Sequence, residues 1–118
     1  MSRWLVDWPA RVAPLASLLC FPGAGAGASV FRGWAEGLPP YVSVSSAQLP
    51  GREERIDEQP AENLPAVADA IAGEWLARRA LPTVIFGHSM GAVLGYEVAQ
   101  RLSQAGRPAT ALVFSASA

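Results

Sequence analysis

The sequence has 118 residues, of which 51% are hydrophobic and 16% charged, enough apolar material for one domain with a core. Nine basic and ten acidic residues give a net charge of -1, so the chain lacks the basic excess of a nucleic-acid-binding protein. Its single cysteine, Cys20, has no internal disulfide partner, which excludes a disulfide-stapled secreted scaffold and favours a reducing compartment such as the cytoplasm.

The stretch from Val12 to Phe31 carries no charge, which raises the question of a membrane segment. Two prolines and three glycines interrupt it, so no run of about 20 helix-compatible apolar residues exists. A signal peptide is also disfavoured, because Asp7 and Arg11 precede a very short apolar block. We therefore expect no association with a membrane.

Apolar runs and turn residues alternate along the chain and predict four strands and three helices. The strands are predicted at residues 17–21, 41–48, 83–86 and 110–114. The first helix is predicted to begin at Ser29 as its N-cap, the second at Asn63, and the third to end at Gly106. The charged segment after the second strand is interpreted as surface loop, with a solvated ion-pair turn formed by Arg52, Glu53, Glu54 and Arg55.

The regular alternation of strands and helices predicts an α/β fold with a parallel sheet and helices on both faces. Such sheets bind ligands at the carboxyl ends of their strands. Two loops are expected at those ends, residues 22–28 and 87–91.

The second of these loops, Gly87-His88-Ser89-Met90-Gly91, matches the pattern G-x-S-x-G between a predicted strand and a predicted helix. This is the context of a nucleophile elbow, in which a sharp turn projects the serine hydroxyl into a crevice. Ser89 is therefore predicted to be a nucleophile. The backbone N–H of Met90 is predicted to stabilise an oxyanion, and Gly87 and Gly91 to allow close backbone packing.

The first loop is rich in glycine and is predicted to provide the second oxyanion donor. Its glycines allow the backbone to approach a ligand and to turn an N–H inward. We choose Ala24 as the donor, with Gly23 and Gly25 as less favoured alternatives. Adjacent side chains diverge at a tight turn, so His88 is expected to pack against neighbouring structure rather than to act as a base.

The same glycines also fit the dinucleotide-binding pattern G-x-G-x-x-A, through Gly23, Gly25 and Ala28. A nucleotide site would require an acidic residue at the end of the next strand. That strand ends in Ala47-Gln48-Leu49, and the first carboxylate is Glu53. A serine elbow has no role in such a site, so this alternative is disfavoured.

Several segments together resemble the type II thioesterases, stand-alone α/β-hydrolases that accompany polyketide synthases and nonribosomal peptide synthetases. The resemblance begins at about Trp4, extends to the last residue, and keeps the order of the motifs. The glycine loop and the Pro-Gly-Arg-Glu-x-Arg segment are more specific than the elbow, which all α/β-hydrolases share. The segments are residues 19–25, Phe31 with Trp34, residues 49–55, 87–92 and 96–99.

The resemblance implies hydrolysis of acyl thioesters on the phosphopantetheine arm of an acyl or peptidyl carrier protein, without a metal or other cofactor. Ser89 would attack the carbonyl, and the N–H groups of Met90 and Ala24 would hold the oxyanion. The role would be editing, the removal of stalled or wrong acyl groups.

The chain departs from the family pattern in its histidines. Family members have a catalytic Asp and His after the serine, whereas the only histidine here is His88, which precedes it. We therefore interpret residues 1–118 as the N-terminal part of a thioesterase domain, with an incomplete sheet of about four strands. The part with the lid and the catalytic Asp and His is absent, so we expect this segment alone to be inactive.

Two other functions are also compatible with the sequence. Malonyl-type acyltransferases share the Phe-Pro-Gly segment and Gly-His-Ser-x-Gly, but usually carry an acidic residue where this chain has Ala92. A non-catalytic module that docks a carrier protein would account for the lack of a second histidine.

Overall fold

The structure is a computed structural model that describes residues 4–23, 25–61 and 63–115. It is a five-stranded sheet with helices on both faces, and the strand order is β1-β3-β2-β4-β5. The strands are β1 (Leu5–Trp8), β2 (Ala16–Phe21), β3 (Val42–Ala47), β4 (Thr83–His88) and β5 (Ala111–Ser115). The α-helices are α1 (Arg32–Gly37), α2 (Leu64–Leu76) and α3 (Met90–Gln104), and two short 3₁₀ helices occupy Ala28–Phe31 and Glu53–Arg55.

The four predicted strands are confirmed to within two residues at each end, and β2 to β5 pair in parallel. The structure adds β1, which pairs antiparallel with β3 and sets Leu5 opposite Ala47. This strand has only four residues, too few for a recognisable alternation in the sequence. Only its hydrogen-bonded pairing with β3 identifies this segment as a strand.

Alternate side chains of β2 enter two separate apolar cores, because successive residues of a strand point to opposite faces. Leu19 and Phe21 join the larger core, which α2 and α3 cover. Cys20 joins the smaller core with Phe31 and Val44. The predicted helices on both faces are thus confirmed.

The helix ends test the predicted caps. Asn63 is confirmed as the N-cap of α2, because its side chain accepts the Ala66 N–H at 3.0 Å. Gly106 follows the end of α3 with φ +81°, as expected of a glycine after a helix. Ser29 as an N-cap is wrong: the 3₁₀ helix begins after Gly27, and Ser29 lies inside it, where its hydroxyl donates to Glu53.

The uncharged stretch between Val12 and Phe31 forms β2, the loop after it and the first 3₁₀ helix. Across the described parts of the chain, none of the helices has the length and apolarity needed to cross a bilayer.

Candidate functional site

Ser89 lies at the sharp turn between β4 and α3, with φ +54° and ψ -120°. A non-glycine residue rarely adopts this conformation, which costs on the order of 1–3 kcal/mol and persists only where the surroundings enforce it. The turn is the nucleophile-elbow geometry that G-x-S-x-G predicts after a strand and before a helix.

Close backbone packing enforces the turn. A Cβ on Gly87 would lie 2.6 Å from the Gly91 carbonyl oxygen, and a Cβ on Gly91 would lie 2.1 Å from that of Phe21. Both distances are shorter than atoms tolerate, so the positions accept only glycine without backbone movement. The contact between Gly91 and Phe21 also brings the start of α3 against the end of β2, where the glycine loop begins.

The glycine loop borders Ser89 at Gly23. A Cβ on Gly23 would lie 3.1 Å from the His88 ring and 3.8 Å from the Ser89 Cβ. The N–H of Ala26 donates to the Gly23 carbonyl at 3.1 Å, closing a turn in which Gly25 has φ +77°. Ala24, the predicted oxyanion donor, lies outside the described residues, so its role stays a prediction.

Met90, the other predicted donor, is the first residue of α3. N–H groups in the first turn of a helix have no acceptor within the helix and carry its partial positive charge. The first hydrogen bond beyond Met90 runs from the Ala92 N–H to the Ser89 carbonyl at 2.9 Å. Met90 therefore has the position that an oxyanion donor requires, and the role remains a prediction.

Ser89 opens onto an apolar cleft of about 620 Å³. One wall is formed by Phe31, Trp34 and Phe86, whose rings meet edge to face with centroids 4.8 to 5.9 Å apart. The structure places Trp34, which the sequence analysis names only in the family resemblance, in the wall of the cleft. The spacing of Phe31 and Trp34 in a predicted helix was the available signal, since such residues share a face.

His88 is exposed and turns toward β5, as expected of a side chain that diverges from Ser89. Its Nδ1 lies 2.7 Å from the Ser115 hydroxyl. No hydrogen bond links the Ser89 hydroxyl to another side chain within residues 4–23, 25–61 and 63–115. The described residues thus present the elbow without a base bonded to the serine.

The prediction of a solvated ion-pair turn is wrong for Arg55, which is buried, whereas Glu53 is exposed as expected but bonds to Ser29. Arg55 is only 8% exposed, stacks over the Trp4 ring and donates two hydrogen bonds to Glu58, each at 2.8 Å. Glu53 accepts hydrogen bonds from Ser29 on the glycine-loop side. Burial against Trp4 and the long-range contact with Ser29 hold this turn, neither of which a charge pattern reveals.

The contact between Gln48 and the glycine loop argues against the dinucleotide-binding site considered in the sequence analysis. A dinucleotide pyrophosphate requires free N–H groups where the glycine loop enters its helix. Here the Ala28 N–H donates to the Gln48 side chain at 2.8 Å, and the helix that follows is a short 3₁₀ helix. One of the N–H groups that a phosphate would need is therefore already bonded to a protein side chain.

Comparisons with known proteins agree with this geometry. A family model described as "Thioesterase domain" matches residues 16–118. The gramicidin S biosynthesis protein GrsT of Aneurinibacillus migulanus is 38% identical over 104 residues, which are 88% of this chain and 41% of that protein. A probable cadicidin biosynthesis thioesterase of Streptomyces griseus is 41% identical over 105 residues, 89% of this chain and 29% of that protein.

A solved structure extends the agreement to the fold. The type II thioesterase BorB from the borrelidin biosynthetic cluster superposes with a TM-score of 0.85 at 36% identity, over 94% of this chain and 45% of that one. The chain thus spans less than half the length of these relatives, and the predicted α/β-hydrolase fold and resemblance to type II thioesterases are confirmed. The chain belongs to the thioesterase domain family.

Proposed function

We propose that this chain is the nucleophile-bearing part of an acyl-thioester hydrolase in which Ser89 attacks the thioester. The observation that carries the proposal is the strained turn at Ser89, φ +54° and ψ -120°, at the mouth of an apolar cleft. Strain of this kind is retained at functional sites because it presents the hydroxyl to substrate.

The proposed reaction has two halves. The Ser89 oxygen bonds to the thioester carbonyl carbon while a base takes its proton, and the oxyanion is held by the N–H groups of Met90 and of the Gly23–Gly25 loop, with Ala24 the first choice. The C–S bond then breaks, and the thiol leaves with that proton. Water attacks the acyl-serine ester, its proton passes through the base to the Ser89 oxygen, and the carboxylic acid is released.

The base is proposed to come from a segment that these 118 residues do not contain. In α/β-hydrolases the acid and the histidine follow the serine along the chain, whereas His88 precedes Ser89 and contacts Ser115. The isolated segment would then keep only what the oxyanion donors supply, in proteases a rate gain of about 10³–10⁴ over water. We expect little or no turnover from it alone.

The proposed substrates are acyl groups carried on the phosphopantetheine of acyl or peptidyl carrier proteins, removed as an editing step. The apolar cleft beside Ser89 suits the acyl part of such a thioester. Relatives named for gramicidin S, cadicidin and borrelidin biosynthesis support an assembly-line context. A cytoplasmic location is proposed on the same ground.

Chemical rescue tests the nucleophile in the chain as it exists. We expect a fluorophosphonate to form an adduct on Ser89 at a rate that rises with added imidazole at about pH 8, where free imidazole is mostly neutral. Mass spectrometry of peptides locates the adduct, and Ser89→Ala is the matched control. An adduct on another residue, or no response to imidazole, would contradict the proposal.

The cleft is tested with alkyl fluorophosphonates of increasing chain length. If the cleft receives the acyl chain, longer alkyl groups should label Ser89 faster, and Trp34→Ala should reduce that preference at least about threefold. Tyr41→Ala is the control, since Tyr41 is exposed and lies outside the cleft. Equal chain-length profiles for all three proteins would exclude this cleft as the acyl site.

Binding to an acylated carrier protein separates catalysis from docking. We expect the chain to bind more tightly to the acylated carrier than to the unacylated one, through the cleft. Equal binding to both carriers, unchanged in Ser89→Ala, together with no phosphonate adduct in imidazole, would instead favour a non-catalytic docking module.

A further inference from the structure

The segment that follows β3 reaches back to the glycine loop. We propose that Glu53, together with Gln48, is a positioning residue that holds Gly23 and residues 25–27, the described part of the glycine loop, against Ser89, an inference that rests on the proposed function. Neither side chain touches the elbow. They act on the start of the 3₁₀ helix that the loop runs into.

Gln48 provides the buried half of this connection. Its side chain is 4% exposed, and its Oε1 accepts the Ala28 N–H at 2.8 Å. Its Nε2 donates to Glu53 Oε1 at 3.1 Å, so the amide is bonded at both ends. Because Ala28 opens the 3₁₀ helix, its N–H has no acceptor within that helix and depends on Gln48.

Glu53 provides the charged half. Its carboxylate accepts the Ser29 N–H at 3.2 Å and 3.4 Å and the Ser29 hydroxyl as well. Partial burial raises the pKa of Glu53, but the hydrogen bonds from Ser29 and Gln48 and the charge of Arg32 outweigh it and lower the pKa from its usual value. The carboxylate is therefore ionised at neutral pH, the state that best accepts these donors.

Gly27 shows that the loop is shaped around this carboxylate. A Cβ on Gly27 would lie 2.2 Å from Glu53 Cδ and 2.5 Å from Oε2. The φ of Gly27 is -111°, which any residue adopts, so its backbone conformation does not require glycine. A Cβ there would instead displace the Glu53 carboxylate, which is the flexible end of an exposed side chain.

The backbone of Glu53 carries strain in the same place. Its φ is +46°, a left-handed value that non-glycine residues rarely adopt. In this conformation the carboxylate accepts the hydrogen bonds from Ser29.

The connection extends to Ser89 through the loop itself. The Ala26 N–H bonds to the Gly23 carbonyl at 3.1 Å, so fixing residues 27–29 also limits the movement of Gly23. Gly23 in turn borders His88 and Ser89. Because loss of one oxyanion donor costs about 10²–10³ in rate, a small shift of this loop should be measurable.

A double-mutant cycle tests the proposal. Glu53→Ala removes the carboxylate, and Gly27→Ala displaces it with a Cβ. In the Glu53→Ala background the added Cβ meets no carboxylate, so the two effects should not add. Glu53→Gln keeps a carbonyl acceptor for Ser29 and should give an intermediate result, while Glu54→Ala, an exposed acidic neighbour, is the control.

Two readouts are required. Amide hydrogen exchange by NMR should show protection of Ala28 and Ser29 falling at least about tenfold in each single variant and no further in the double variant. In each single variant, the maximal rate of Ser89 labelling in imidazole should be at least about tenfold lower than in the wild type. The phosphonate concentration that gives half of the maximal rate should change little. The selective loss of maximal rate distinguishes positioning from a general loss of structure.

Several outcomes would overturn the inference: unchanged protection in Glu53→Ala, additive effects in the cycle, or an equal loss in Glu54→Ala. A loss of protection without a change in labelling would also overturn it. If Ser89 of the wild-type chain is not labelled at all, the proposed function fails. The NMR chemical shifts of the Gly23 and Ser89 amides in the same four proteins then decide whether Glu53 positions the loop. If Glu53→Ala does not fold, Glu53→Gln and Gly27→Ala give the comparison.

Discussion

The Ser89 N–H donates a hydrogen bond to the Ser115 carbonyl at 2.9 Å, which ties the proposed nucleophile to the last residue of β5. In the same register, His88 pairs with Ser115 across the parallel β4 and β5 strands. The His88 ring and the Ser115 hydroxyl add a contact of 2.7 Å. The strand at the margin of the described sheet therefore helps to hold the elbow.

From that position we expect β5 to be a site of self-association. Leu112, Val113 and Phe114 are 40 to 48% exposed, and β4 is the neighbour of β5 in the described sheet. Apolar edge strands pair with other chains, so we expect concentration-dependent association in sedimentation velocity. Val113→Lys should shift it toward monomer, whereas Val12→Lys, at an exposed valine in a loop, should not. Identical behaviour of the two variants would exclude β5 as the associating edge.

Gly91→Ala should be severely destabilising. The added Cβ would lie 2.1 Å from the Phe21 carbonyl oxygen and 2.5 Å from that of Pro22, and backbone atoms cannot move away cheaply. We expect a loss of about 3 kcal/mol or more in urea unfolding, or no folding. The control is Gly73→Ala in α2, where a Cβ meets nothing within 4 Å and should stabilise by about 0.5–1 kcal/mol. A Gly91→Ala protein as stable as the wild type would refute the close packing of α3 on β2.

Ser89→Gly should be more stable than the wild type. The φ of +54° is strained for serine and accessible to glycine, so we expect a gain of about 1 kcal/mol in the free energy of unfolding. Ser89→Ala keeps the Cβ and the strain, and should differ from the wild type by less than about 0.5 kcal/mol. Thermal unfolding of the three proteins measures the difference. Glycine giving no advantage over alanine would mean that the turn is not strained.

Cys20 should make stability depend on alkaline pH. The thiol is 0% exposed, and burial raises its pKa from 9.0 to about 12. The folded chain keeps the proton that the unfolded chain releases above pH 9.0, so the contribution of Cys20 is full below that pH and falls toward pH 12.

The matched comparison is Cys20→Ala, which removes the titrating thiol and leaves all other titratable groups unchanged. The stability difference between the two proteins in urea should be constant below about pH 8 and should narrow as the pH rises. A constant difference up to about pH 10.5 would show that the thiol is not buried in solution. Iodoacetamide should likewise modify Cys20 only after unfolding.

Strands β2 to β5, the two longer helices and the elbow could be predicted because each depends on residues close together in the sequence, whereas β1 could not. The apolar run before Gly87, the serine between two glycines and the helical stripe of α3 all fall within about 20 residues. Asn63 as a cap is equally local, since it bonds to Ala66.

The cleft wall and the support of the glycine loop could not be predicted in this way. Trp34 and Phe86 meet only because β4 lies beside β2 and α1 covers that face of the sheet. Glu53 reads as a surface charge in the sequence, and its partner Ser29 lies 24 residues away. A charge pattern carries no information about such a partner.

The sequence alone therefore determined the α/β alternation and the elbow with Ser89. Strand, turn and helix propensities depend on residues only a few positions apart. Only the tertiary structure decided which side chains face Ser89 and which hold the glycine loop in place. Those contacts arise from strand order and packing, which bring together residues whose separation in the sequence conceals their proximity.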